Sequence, residues 1–280
     1  MIYGLGAALG WGLADLGAAL TGRRIGSVAT VVLAQVASLL AVGVLILALR
    51  PGWTGDTGNL IVLGTNGVLV AIAYLTLYRA LELGPVALVS PIVAAYAVPP
   101  VILAVVVLGE SLTGAVLAGA IVTLVGVLLA STDLRRPDTG RASRAGVPIG
   151  IVSMLLFGLV TFTLGRQAQE LGWLPAMAVG RGFSVVALLV VAAAKRPRFG
   201  AGGAVGIGLA VATGIADIVG VAMVSFGAEV GLISVVTAAS ATFVIIPVVG
   251  GVTLFGERLA ANQFVGVALV VGGLLLLGLG

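Results

Sequence analysis

"ALELGPVALVS" (residues 80–90) and "GAEVGLISVVT" (residues 227–237), 147 positions further on, align without a gap. Glu82 falls on Glu229, Gly84 on Gly231 and Ser90 on Thr237. The register runs on through Tyr96/Phe243, Pro100/Pro247, Gly109-Glu110/Gly256-Glu257 and Leu112/Leu259, then Gly119/Gly266 and Gly126/Gly273. Apolar coincidences are cheap in a chain that is 60% hydrophobic, but Glu, Pro and Gly recurring at fixed spacing are not. A weaker match with an offset of 146 pairs Trp11 with Phe157, Gly12 with Gly158, Asp15 with Thr161, Gln35 with Arg181 and Ser38 with Ser184. The chain reads as two copies of one unit.

Only 9% of the residues are charged and the mean hydropathy is +1.28, which places the chain in a membrane. About 20 apolar residues cross a hydrocarbon core as a helix, whose backbone groups bond within the segment. Ten such stretches fit, near 2–21, 27–49, 59–80, 86–108, 112–131, 147–168, 173–194, 203–227, 232–255 and 260–279. A spanning β-barrel would alternate apolar and polar residues, and these runs are apolar throughout. The expected fold is all-α, with five helices per repeat. The longest polar stretch, "STDLRRPDTGRASRAG" (131–146), carries four arginines and reads as a cytoplasmic linker (132–146) between a first repeat at 1–131 and a second at 147–280. The N-terminus lacks a basic region before its apolar run, so it reads as a retained first span.

An odd number of spans per repeat makes the second copy enter the membrane from the opposite side. Inverted repeats of this kind build carriers whose midplane site faces each side in turn. The five-plus-five arrangement, the aromatic-glycine pairs Trp11-Gly12 and Phe157-Gly158, and the motifs Gly109-Glu110-Ser111-Leu112 and Gly256-Glu257-Arg258-Leu259 resemble the drug/metabolite transporter superfamily, EamA-type branch. The resemblance implies a secondary carrier, commonly an exporter of small metabolites, amino acids or amphipathic drugs. It departs from the family where a basic residue is common in the second span of each half: Arg181 is present, but Gln35 stands in the first half.

The residues themselves point to the same kind of site. Asp217, in "GIADIVG" (214–220), sits near the centre of span eight, where an unpaired carboxylate costs about 2.5–3.5 kcal/mol. It needs a partner, a wet cavity or a proton; an ion pair with Arg181 is the structural alternative to a place on the transport pathway. Asp15 shares a helix face with Trp11, as an aromatic wall and a carboxylate would in a pocket for a cation, or else pairs with Arg23. Arg181 clamps a substrate carboxylate or neutralises an aspartate. Asn66, Tyr74 and Tyr78 lie along one side of span three, and Tyr96 and Phe243 occupy matching places in spans four and nine. Tyr78, beside Arg79, also reads as an interfacial anchor. The substrate-binding set is therefore Trp11, Asp15, Asn66, Tyr74, Tyr96, Phe157, Arg181, Asp217 and Phe243, with Asp217 and Asp15 as proton-coupling groups. Glu82, Glu229, Glu110 and Glu257 sit at span ends and read as helix-end hydrogen bonders. The glycines, as in Gly6-x-x-x-Gly10, read as packing positions.

Arg23, Arg24, Arg79, the linker arginines, Lys195, Arg196, Arg198 and Arg258 thread to one side, with Arg50 and Arg166 opposite. The positive-inside rule makes the rich side cytoplasmic and puts both termini outside, in a multi-pass cell (inner) membrane protein. Topology accounts for the basic pI without nucleic acid. With no cysteine and no histidine, disulfides, imidazole metal sites and Cys/His or Ser/His catalysis are excluded. No cofactor or metal is expected, no enzyme motif is present, and a twofold pair of halves makes a midplane pocket rather than a channel. The expected partners are a small-molecule substrate, the lipid bilayer and protons, with a monomer sufficient for the pathway. Arg181 with two aspartates suits amino acids or related zwitterions; the aromatics with aspartate alone suit lipophilic cations, as in a multidrug exporter.

Overall fold

The computed structural model describes residues 2–99, 102–103, 113–131, 145–197, 199, 202–230 and 240–277. Ten α-helices lie among the described residues: α1 (Ile2–Ile25), α2 (Ser27–Leu49), α3 (Thr57–Leu83), α4 (Val86–Ala94), α5 (Gly114–Ser131), α6 (Gly146–Leu171), α7 (Trp173–Lys195), α8 (Gly203–Val230), α9 (Ile245–Leu254) and α10 (Ala261–Leu277). Five stretches, Ser27–Leu49, Thr57–Leu83, Gly146–Ala168, Trp173–Lys195 and Gly203–Val224, are long and apolar enough to cross a membrane. Val86–Ala97, Gly114–Ala130, Thr242–Leu254 and Ala261–Leu277 are shorter apolar helices. In α1, glycines and Asp15 dilute the apolar run. The Gly109-Glu110-Ser111 motif, Pro100, the stretch 231–239 and nearly all of the linker fall outside the described residues.

The two halves break their helices at matching positions. Gly26 (φ 83, ψ 149) turns α1 into α2, and Gly172 (φ 83, ψ 151) turns α6 into α7. That backbone region is open essentially to glycine alone, so each single-residue turn requires it. Arg50 and Arg196 end α2 and α7 in the left-handed conformation, with φ of 45° and 47°. Short 3₁₀ turns follow at Ala95–Ala97 and Ala241–Val244. Tyr96 and Phe243, paired by the sequence repeat, sit in these turns.

Hydrogen bonds identify the two ends of the bundle. At one, Ser27 N donates to Glu82 (3.3 Å) and Arg23 donates to the Gly84 carbonyl (3.1 Å) and to Glu257 (3.2 Å). At the other, Asn59 at the start of α3 donates to Gln167 (3.1 Å) and Glu170 (3.3 Å) near the end of α6. Between them the helices approach closely, because hydrophobicity does not drive association in lipid and backbone contact must. A methyl at Gly10 would lie 2.7 Å from the Ala216 carbonyl of α8, one at Gly67 2.5 Å from the Gly180 carbonyl of α7, and one at Gly126 2.6 Å from the Val270 amide of α10. Leu5, Leu9 and Leu13 of α1 and Val186, Leu189 and Val190 of α7 face outward, as lipid-facing stripes do.

Near the Gly26 end, Ala18, Ala19, Val31, Leu81, Val86 and Leu188 pack into a buried cluster. Here Glu257 spans two helices. Its Oε1 accepts from the Val86 amide (2.9 Å) and its Oε2 from the Ala87 amide (2.8 Å), so it caps α4, whose first amides have no partner within the helix. The guanidinium of Arg23 lies 4.0 Å over the Phe255 ring beside it. Glu257 is thus the helix-end hydrogen bonder the sequence suggests, although the end it serves belongs to the other half.

Candidate functional site

A cavity of about 190 Å³ lies among α1, α3, α4, α6, α7 and α8. Its walls come from the middle of α1 and α8, from the second half of α6 (Phe157 to Leu164) and from the first third of α7 (Met177 to Arg181). With Tyr74, Leu77 and Tyr78 of α3 it lies at mid-bundle, and these residues belong both to its wall and to the buried cluster that continues toward the Gly26 end.

α1 contributes Trp11 and Asp15, one turn apart; α3 contributes Asn66, Tyr74 and Tyr78 at multiples of four. Phe157, Arg181 and Asp217 enter from α6, α7 and α8, and Tyr96 and Phe243 from the two 3₁₀ turns. The structure brings all nine residues of the expected set to one cavity. Their rings interlock: Trp11 meets Phe243 edge-on at 5.9 Å between centroids, Tyr74 meets Phe157 at 5.0 Å, and Tyr96 lies tilted at 6.3 Å from Phe157. Gly220 makes room for the first pair, since a methyl there would sit 2.6 Å from the Trp11 indole. Tyr78 departs from the interfacial reading. It is buried against Tyr74 at 6.0 Å, because the α3 stripe that carries it faces inward.

Asp217, 4% exposed, holds two partners: Tyr74 Oη donates to its Oδ1 at 2.9 Å, and Arg181 Nη2 lies 3.2 Å from its Oδ2. Arg181 Nη1 donates to Gln35 Oε1, and its guanidinium stands 5.5 Å from the Tyr74 ring centre. The Gln35 found where the family commonly has a basic residue thus accepts a hydrogen bond from the basic residue of the other half. A second cation at that position would face the first in a buried setting.

Asp15 is placed differently. It is half-buried, and its Oδ2 accepts a hydrogen bond from Ser90 Oγ of α4. Arg23, the alternative partner read from sequence, is engaged with Gly84 and Glu257 instead. Among the described residues, no salt bridge reaches Asp15. Formal charges in the lining are Asp15, Asp217 and Arg181, so with both aspartates ionised the sum is −1.

Sequence reasoning did not place Gln35 or Ser90 in this network. The repeat alignment carried the only signal, by setting Gln35 opposite Arg181 and Ser90 opposite Thr237.

With that geometry, residues 1–132 match the EamA-like transporter family. The match spans a little under half of the chain. That family consists of membrane transporters, and the five helices long and apolar enough to cross a membrane agree with a multi-pass membrane protein. A solved crystal structure, described only as that of a protein, resembles the chain with a TM-score of 0.63 and 18% identity over 98% of this chain and 94% of that one. At that identity the likeness concerns the fold, and it extends beyond the EamA-like half to the whole chain. No curated protein matches.

Proposed function

We propose that the protein is a secondary active transporter that exports small metabolites bearing an ammonium group, by alternating access in exchange for protons, through a pathway a monomer provides. The observation that carries this reading is the inequality of the two cavity aspartates. Asp217 is neutralised by Arg181 at 3.2 Å, whereas Asp15 faces the same cavity with a hydroxyl as its partner. A carboxylate in an aromatic, low-dielectric pocket attracts a cation, and the Trp11 and Phe243 rings beside it suit an ammonium group. A proton and an ammonium cannot share that carboxylate. Their competition is what antiport needs: a proton entering with its gradient displaces the substrate outward.

Amino acids and related zwitterions form the second reading, because Arg181 lines the cavity too. A substrate carboxylate would have to replace Asp217 on Arg181, leaving Asp217 to take a proton. Substrate and proton would then travel together, which opposes export down an inward proton gradient. The aromatic walls favour the cation reading, which extends to lipophilic cations.

The two halves support an inverted arrangement. Arg23 near the C-terminus of α1 meets Gly84 and Glu257 at one end of the bundle, while Gln167 and Glu170 near the C-terminus of α6, its repeat partner, meet Asn59 at the other. The arginine-rich turns share the Gly26 end, which the positive-inside rule makes cytoplasmic.

The test is exchange in proteoliposomes. With a pH gradient imposed, wild-type protein should drive uphill movement of radiolabelled amines and Asp15→Asn should not, while leaving the folded yield unchanged. Uphill transport with normal pH dependence in Asp15→Asn would remove Asp15 from the coupling site.

A further inference from the structure

Asn66 carries a second, distinct feature of the cavity. Its side chain is 3% exposed and its Nδ2 donates to the Val160 carbonyl of α6 at 2.9 Å. That bond fixes the amide, since a flip would set oxygen against oxygen. The Oδ1 left over is buried without a hydrogen-bond partner. A buried acceptor without a donor is a standing cost, and it is met when a donor arrives. Both Asn66 and Val160 line the cavity, which puts this acceptor in its wall.

The repeat-related position is built differently. At the position 147 residues on, Thr213 donates to the Leu209 carbonyl of its own helix at 2.8 Å. Thr213 stands outside the cavity lining, whereas Asn66 is part of it. Two of its donor groups are engaged with the lining itself: Tyr74 and Arg181 give hydrogen bonds to Asp217, and Arg181 gives another to Gln35. Asp15 and Asn66 present acceptors in a lining that also carries the Trp11 indole and the Tyr78, Tyr96 and Thr161 hydroxyls.

We infer that the substrate carries a neutral O–H or N–H donor as well as its ammonium group, and that Asn66 Oδ1 accepts this second donor. The inference rests on the ammonium reading of Asp15 and narrows it to donor-rich amines, such as amino alcohols and amino amides, over simple alkylamines. Asp15 stands on α1 and Asn66 on α3, so the span between these two helices sets how far apart the ligand carries its two donors.

Binding of n-alkylamines and of the ω-amino alcohols of equal length to purified protein, measured calorimetrically along a length series, tests it. Each pair differs in a terminal methyl or hydroxyl. The alcohol should bind about tenfold more tightly than its alkylamine at the lengths that reach Asn66, and equally at shorter ones. Asn66→Leu, similar in size but without the acceptor, should abolish that advantage, so that the alcohol and the alkylamine of each length bind alike. Equal affinities at every length in wild-type protein would overturn the role of Asn66 even where Asn66→Leu fails to fold. If neither series binds, or Asp15→Asn binds both as wild type does, the ammonium reading itself fails and the proposal falls with it.

Discussion

Replacing Glu257 by Gln perturbs one carboxylate that holds three partners. Its two oxygens accept from the Val86 and Ala87 amides at 2.9 and 2.8 Å, and Arg23 lies 3.2 Å away. An amide keeps one acceptor oxygen and turns an NH₂ toward the other backbone N–H, so one bond becomes a donor-donor contact. A hydrogen bond to a charged group contributes about 1.5–3 kcal/mol, and a negative charge at a helix start adds about 0.3–1. The Arg23 side chain is one-third exposed, so its pairing adds about 0–1 kcal/mol at most. Glu257→Gln is expected to destabilise by about 2–4 kcal/mol, a drop of several degrees in melting temperature in detergent. Glu82, which accepts one backbone amide at 3.3 Å, should lose less on the same change. The assay is a melt followed by fluorescence-detected size exclusion, with competition between two amines in proteoliposomes. An unchanged melt, or an altered substrate preference in a protein that melts normally, would refute the capping account.

Three further expectations follow from the geometry. Asp217→Asn or Arg181→Met alone leaves one buried charge uncompensated and should cost about 3–5 kcal/mol, whereas the double variant should recover most of that loss in a melt; additive losses would show that the pair is not coupled. Gly172→Ala and Gly26→Ala each place a side chain in a glycine-only backbone region and should each lower stability by about 1–3 kcal/mol; unchanged melts would contradict the turn assignment. Gly251→Ala should mimic Glu257→Gln, because the added methyl would lie 2.5 Å from Glu257 Oε2; a wild-type melt would show that the cap has room to move.

Most helix positions were legible because lipid imposes unbroken apolar runs, and charged residues within such runs stand out. Asp15, Arg181 and Asp217 were visible for that reason, and the four-residue spacing of Asn66, Tyr74 and Tyr78 showed that they share a face. Partners were harder to read. Ser90 and Gln35 are small or uncharged polar residues that a hydropathy pattern does not distinguish from packing positions, and each earns its place through a residue at least 75 positions away. Glu257 was recognised as a helix-end residue, but its target, the start of α4, is 170 residues distant, and no local pattern names it. The 3₁₀ turns at Tyr96 and Phe243 leave the hydropathy unchanged, so the fourth and ninth segments gave no sign of them.

The central claim is that the aromatic cavity is the transport pathway and opens to each side in turn. The chain contains no cysteine, so Thr161→Cys, on the cavity wall, places one thiol there, with Leu189→Cys on the lipid face as control. The rate at which a membrane-impermeant thiol reagent modifies Thr161→Cys from each side of sealed vesicles is the deciding measurement. The account predicts modification from both sides, slowed by a transported amine, with Leu189→Cys inert. Modification from one side alone during turnover, or a rate the amine leaves unchanged, would contradict it.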